Sequence, residues 1–177
     1  FIGNLKFINN KKDNLVSLDK KLLNNFKNRD IWCASSTHKN EELICAKVHI
    51  NLKKKKKKLL TIIIPRHVER TKNIINEMKD LNLKVQIHSS KNKLHRDTDI
   101  YLIDTYGKTK SFFKICKIVF LGGSIVAHGG QNPLEAARYG CKILHGPNIW
   151  NFREIYDLLN SYKVSCKANN LNQIVNN

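Results

Sequence analysis

Ile118-Val119-Phe120-Leu121-Gly122-Gly123-Ser124 is a short unbroken apolar run that passes directly into two glycines and a serine. A continuous apolar run of this length, closed by glycine, reads as a strand buried on both faces of a parallel sheet. The glycines after it let the backbone take positive φ and approach a ligand closely. Working outward, the same grammar repeats. Upstream lie Ile31–Ser35, Leu59–Ile64 closed by Pro65, Leu83–Ile87 and Ile100–Ile103; downstream lie Lys142–His145 and Val164–Cys166. Between them the apolar residues shift to helical spacing. After Thr37, read as an N-cap with Glu41 and Glu42 in the first turn, come Leu43, Ala46 and Ile50; a second set is Thr71, Ile74, Ile75, Met78 and Leu81. Gly107 opens a helix carrying Phe112, Phe113 and Cys116. Asn132 caps another with Pro133 at its first position, and Phe152, Ile155, Leu158, Leu159 and Tyr162 form the face of the next. Strands alternating with helices predict an α/β fold, a Rossmann-like parallel sheet with helices on both faces. The polar stretch Ser89–Asp97 reads as a loop. Residues 31–177 form the predicted domain, and residues 1–30 read as a connector with a first amphipathic helix built on Leu15, Leu18, Leu22 and Leu23.

Composition limits what such a domain does. The 177 residues carry 32 Lys and Arg against 14 Asp and Glu, a formal charge of +18. A field of that size attracts nucleic acid or an anionic membrane. The lysines, however, are mixed with asparagine along the whole chain, without the clustering and interleaved aromatics of a nucleic-acid face. Nucleic acid is therefore not the expected partner. The dense run Lys53–Lys58 sits between a helical and a strand pattern, where a solvated turn is expected, and it suits peripheral contact with an anionic leaflet. The five cysteines form no C-x-x-C pair and the seven histidines have no metal-ligand spacing, so neither a disulfide framework, a zinc site nor any metal is indicated. No apolar run reaches the length of a membrane span.

Ligands of open α/β sheets bind beyond the carboxyl ends of the strands, and the distinctive residues fall there. Pro65, Arg66 and His67 follow one strand; Asp104, Thr105, Tyr106 and Gly107 another; Gly122, Gly123 and Ser124 a third; Asn132, Pro133, Leu134 and Glu135 start a helix. Arg66 reads either as a rigid fork for a phosphate or, in isolation, equally well as a surface arginine. The starts of the helices at Gly107 and Pro133 offer backbone N–H groups to an anion. Glu135 reads either as a helix-dipole residue or as an acceptor for a ribose diol. No P-loop and no G-x-G-x-x-G fingerprint is present.

Taken in order, Gly3-Asn4-Leu5-Lys6-Phe7, Ser36-Thr37-His38 with Glu41-Glu42, Pro65-Arg66-His67 with Glu69-Arg70, Asp104-Thr105, Gly122-Gly123-Ser124, Gly130 with Asn132-Pro133-Leu134-Glu135, Gly146-Pro147 and Asn151-Phe152 resemble the C-terminal half of the 3-deoxy-D-manno-octulosonic acid (Kdo) transferases of lipopolysaccharide assembly. The resemblance spans nearly the whole chain. It implies the C-terminal domain of a glycosyltransferase B fold, which holds the donor CMP-Kdo without metal or other cofactor. By resemblance, Pro65 and Arg66 border the cytidine monophosphate. Tyr106, Gly107 and Lys108 lie at the helix start that receives it, and Asn132, Pro133, Leu134 and Glu135 hold the ribose and phosphate region. Ser36, Thr37, Gly123 and Ser124 are expected to line the same cleft.

The resemblance also implies Kdo transfer to a lipid A precursor on the cytoplasmic face of the inner membrane. The acceptor site and general base are expected in an N-terminal domain absent from this sequence, so no catalytic residue is expected within it. The chain is accordingly expected to be a fragment, a remnant, or one half that pairs with a separate N-terminal half, and to transfer poorly by itself. Three residues depart from the family pattern: Tyr106-Gly107-Lys108 stands where Met-Gly-Glu is usual, and Gln131 where histidine is usual. Two other readings remain: another nucleotide-sugar transferase or epimerase domain, or a basic nucleic-acid-binding module.

Overall fold

The computed structural model describes residues 18–90 and 93–176, and the Gly3–Phe7 match and Leu15 lie outside them. Seven strands, β1 (Asp30–Thr37), β2 (Leu59–Pro65), β3 (Val85–Ile87), β4 (Ile100–Leu102), β5 (Ile118–Leu121), β6 (Lys142–His145) and β7 (Ser165–Lys167), form one sheet in the order β3-β4-β2-β1-β5-β6-β7, with every pairing parallel. All seven residues of β2 are buried, as its unbroken apolar run requires of a central strand covered on both sides. The chain leaves β1 toward β2 on one side and later returns as β5 on the other. The topological switch point, where a crevice opens in such sheets, thus lies between the carboxyl ends of β1 and β5.

Two layers of helices cover the sheet. Helices α2 (Glu41–Lys53), α3 (Thr71–Asp80) and α7 (Leu171–Asn176) pack Cys45, Ala46, Val48, Ile74, Met78 and Ile174 against Ala34, Ile63, Leu102 and Phe120 on one face. Helices α1 (Lys20–Phe26), α4 (Thr109–Phe113), α5 (Leu134–Arg138) and α6 (Arg153–Ser161) bring Phe26, Phe112, Phe113, Ala136 and Tyr156 to Cys33, Ile62, Val119 and Ile143 on the other. The α1 helix, capped by Asp19 on the amide of Lys21, inserts Phe26 edge-on against Tyr101 and Phe112. Among the described residues no helix is long and apolar enough to cross a membrane.

Several local expectations change. Asn40, in the left-handed region at φ 77°, precedes α2 as its N-cap. Thr37 instead ends β1, because the strand runs two residues past the apolar pattern. The β4–α4 helix begins at Thr109 rather than Gly107, whose φ of 76° serves the turn before it. On α6 the buried residues are Ile155 and Tyr156, with Leu159 packed beside them, while Leu158 and Tyr162 are exposed. The arc Ile155–Tyr156–Leu159 leaves Leu158 off its edge, and Tyr162 is the C-cap rather than part of the helix. The third strand is shorter, at Val85–Ile87, and the seventh is displaced by one residue, at Ser165–Lys167. Helix α7, unmarked in the reading above, seats Ile174 beside α2.

Candidate functional site

The crevice is built from the inside out by two carboxylates of α2. Glu41 is fully buried, and its carboxylate accepts from the amides of His38 (2.9 Å), Gly123 (2.7 Å), Ser124 (3.1 Å) and Ile125 (3.0 Å). One side chain thereby ties the glycine loop after β5 to the end of β1. Glu42, also fully buried, accepts from the Thr37 hydroxyl at 2.9 Å and from both terminal nitrogens of Arg70 at 2.8 and 3.1 Å. Read from sequence, both acids were helix-dipole residues. Nothing in their spacing shows which loop they meet, since the Gly123, Ser124 and Ile125 amides lie 82–84 positions from Glu41.

The backbone at this junction is close-packed. Ser36 sits at φ 55° where the β1–β2 register slips by one residue. A Cβ on Gly122 would overlap the Ser36 carbonyl oxygen and stand 2.6 Å from Thr37 Cα, so only glycine lets the β5 loop pass β1. The loop is held from below by the residues after β6. Gly146 N donates to Ser124 Oγ, Asn148 donates to the Ser124 and Ile125 carbonyls, and Asn151 donates to the Gly129 and His128 carbonyls. This gives the Gly146-Pro147 and Asn151-Phe152 motifs a positioning role.

Around the rim stand the polar residues. Arg66 follows β2, its amide donating to the Thr37 carbonyl at 2.9 Å. Its side chain is exposed and forms no hydrogen bond or ion pair among the described residues, whereas Arg70 four residues on is spent on Glu42. Tyr106 donates its hydroxyl to Glu69 at 2.7 Å, which bridges the segments after β4 and β2 and raises the phenol's pKa. Asp104 accepts from the Ser89 amide at 2.9 Å and from its hydroxyl, anchoring the β4 loop to the turn after β3. Lys110 of α4 lies 3.4 Å from Glu135 of α5, so the carboxylate expected at a ribose carries a cation partner. Asn132 accepts from the Leu134 amide at 3.0 Å, but α5 begins at Leu134 with Pro133 as its N-cap, one residue later than the expected Asn132 cap. Helices α4 and α5 have five residues each, so their dipoles are small, and this capped amide at α5 is already occupied.

Three histidines that sequence spacing leaves apart meet here. His38 stacks on His128 with ring centroids 4.2 Å apart and meets His67 edge-on at 5.8 Å, and its Nε2 lies 3.4 Å from Gln131 Nε2. Burial, the two neighbouring imidazoles and Arg66 lower the His38 pKa against the pull of Glu41. Among the described residues no three His, Cys, Asp or Glu are arranged to hold a metal ion.

The expected site residues thus fall into two groups. Arg66, Tyr106, Gly107 and Asn132 are exposed and Ser36 and Lys108 half-buried in the segments beyond the strand ends, and Glu135 lies beside Lys110 between α4 and α5. Pro65, Pro133 and Gly123 are buried and contribute backbone, with Leu134 half-buried beside Pro133. Thr37 and Ser124 are buried with their hydroxyls spent on Glu42 and on the Leu121 carbonyl.

No family model matches the chain. Among curated proteins it is 34% identical over 158 residues to the 3-deoxy-D-manno-octulosonic acid transferase of Haemophilus influenzae, covering 89% of the chain and 37% of that protein. The transferase of Rickettsia typhi is 35% identical over 187 aligned positions, covering 96% of the chain and 40% of the relative. That of Aquifex aeolicus is 28% identical, covering 98% and 45%. The chain therefore spans less than half the length of these relatives. Among solved structures, the C-terminal CMP-Kdo binding domain of WaaA from Acinetobacter baumannii superposes with a TM-score of 0.80 at 28% identity, covering 85% of this chain and 79% of that one. With these identities and the superposition of its all-parallel seven-stranded sheet, the chain belongs to the 3-deoxy-D-manno-octulosonic acid transferase family and corresponds to its C-terminal domain.

Proposed function

We propose that this chain binds CMP-Kdo in the crevice between β1 and β5, as the donor half of a Kdo transferase that delivers the sugar to a lipid A precursor. The observation that carries the reading is Arg66. Its side chain is exposed without a hydrogen bond or ion pair among the described residues, and its charge acts on both Tyr106 beyond β4 and His38 beyond β1. A phosphate is the group such a fork recognises bidentately.

In the proposed reaction the bond between the Kdo anomeric carbon and the phosphate oxygen breaks, and its electron pair leaves with CMP. Arg66 meets the negative charge growing on that phosphate, an arrangement that stabilises the transition state more than the ground state. Glu135 accepts hydrogen bonds from the ribose diol, exchanging its Lys110 contact for them. Lys108, which replaces an acid, adds a cation at the same edge. The acceptor hydroxyl loses its proton to a general base outside this chain, and the matched length corresponds to the C-terminal part of the relatives only.

Calorimetric titration tests the reading. CMP is expected to bind saturably and more tightly than UMP or UDP, and Arg66→Ala is expected to weaken it about tenfold or more, in line with the ~1.5–3 kcal/mol of a charge-assisted hydrogen bond. Glu135→Gln should weaken CMP and leave binding of inorganic phosphate unchanged. Absence of CMP binding, with oligonucleotide binding that falls steeply with salt, would overturn the proposal in favour of a nucleic-acid module.

A further inference from the structure

At the end of the sheet opposite the crevice, the starts of β1, β2 and β5 open onto a cavity of about 860 Å³, within the ~300–1,000 Å³ span of small-molecule sites. Its walls include Leu23, Phe26, Trp32, Val48, Leu52 and Ile174, contributed from both faces of the sheet. The apolar lining includes Trp32, whose indole Nε1 is itself shielded from the cavity and lacks an acceptor among the described residues.

The mouth is cationic. Lys27, Arg29, Lys56 and Lys117 stand at it against the single carboxylate of Asp30. Arg29 is spent on the backbone carbonyls of Lys58, Leu59, Arg96 and Thr98, and Lys56 lies 3.9 Å from Asp30. Lys27 and Lys117 are exposed and have no acidic partner among the described residues. The exposed turn 54–58, five consecutive lysines, continues the same rim. Apolar walls and a basic mouth match an amphiphile with an apolar tail and an anionic head. They do not match a nucleotide, whose base and sugar need several polar partners.

We propose that this cavity takes an acyl chain of an anionic membrane phospholipid, the chain lying along the apolar wall beside Trp32 and the headgroup among Lys27, Lys117 and the lysine turn. Surface lysines beside an anionic leaflet contribute about 1 kcal/mol each, and the inserted chain adds a hydrophobic anchor to that attraction.

The test uses the full chain carrying Trp150→Phe, which leaves Trp32 as the sole tryptophan and removes an exposed indole able to touch lipid by itself. It is mixed with phosphatidylcholine vesicles with or without phosphatidylglycerol, each with plain or acyl-brominated chains. The expected result is saturable quenching of Trp32 by brominated chains in the anionic vesicles. Partition should fall at least tenfold in Lys27→Glu/Lys117→Glu, whose melting temperature is checked against the parent. Sedimentation with anionic vesicles without quenching would reduce the surface to charge adhesion and overturn the cavity's role. No binding to either vesicle, or equal quenching in the double variant, would overturn it as well. The outcome is independent of whether CMP binds at the other end of the sheet.

Discussion

Arg66 and Arg70 are four residues apart and chemically identical, and the fold gives them opposite employment. Arg70 closes on Glu42, whose side chain is wholly buried, while Arg66 stays exposed beyond β2. Removing one partner of a buried pair leaves an uncompensated charge, which costs about 3–5 kcal/mol. An exposed arginine without a partner carries little stability. Arg70→Ala is therefore expected to lower the urea midpoint by an amount equivalent to about 3 kcal/mol, and Arg66→Ala to leave it within ~0.5 kcal/mol. Equal urea midpoints for the two variants would contradict the division. Sequence alone marked Arg66 as a phosphate fork because of its place after a strand. It did not mark Arg70 as structural, since the partner Glu42 lies 28 positions away. His38, His67 and His128 show the same limit: each reads as an ordinary surface or packed histidine until the loops that carry them converge.

At the scale of elements, the passage of the β5 loop against the end of β1 sets the crevice's shape. Gly122 touches the Ser36 carbonyl and Thr37, and the next amides reach back to Glu41. A methyl at 122 forces these strand ends apart. Gly122→Ala is expected to cost about 1–3 kcal/mol, the range for overpacking a tight contact, measured by thermal unfolding, and to weaken CMP binding in parallel. Gly107→Ala offers the contrast: a Cβ there meets nothing within 4 Å, so its cost comes only from the positive φ of 76°. A Gly122→Ala variant as stable as the parent would show that the loop yields without consequence. The glycine pair was legible as a place of close approach. That the neighbour would be Ser36 depended on β1 and β5 being adjacent, which strand patterns cannot specify.

For the whole molecule, a buried cluster far from the crevice links stability to pH. His49 is fully buried, with Nδ1 2.8 Å from the Thr61 hydroxyl and Nε2 3.3 Å from Asp99, and Asp99 is already paired with Lys53 and with the Lys84 amide. Burial first, then Lys53 and Arg29, press the His49 pKa down to about 4. In the unfolded chain an ordinary histidine titrates near ~6.5. Between these values the unfolded state binds the extra proton, so stability is complete above pH ~6.5 and falls as pH drops toward about 4. The loss is on the order of 3 kcal/mol. Urea midpoints taken across that window should decline, and His49→Asn should flatten the slope; an unchanged slope in the variant would assign the effect to other groups.

What the sequence determined by itself was the alternation of apolar runs and helical spacing, hence a parallel α/β sheet, and the motifs that mark its strand ends. These are local properties, set by the period of side chains along a strand or helix. Tertiary structure alone decided which strands are neighbours, where the switch point falls, that Glu41 and Glu42 hold the crevice from within, and that an apolar cavity ringed by lysines opens at the other end. Each of these rests on contacts between residues tens of positions apart, and a one-dimensional pattern carries no record of which distant partners meet.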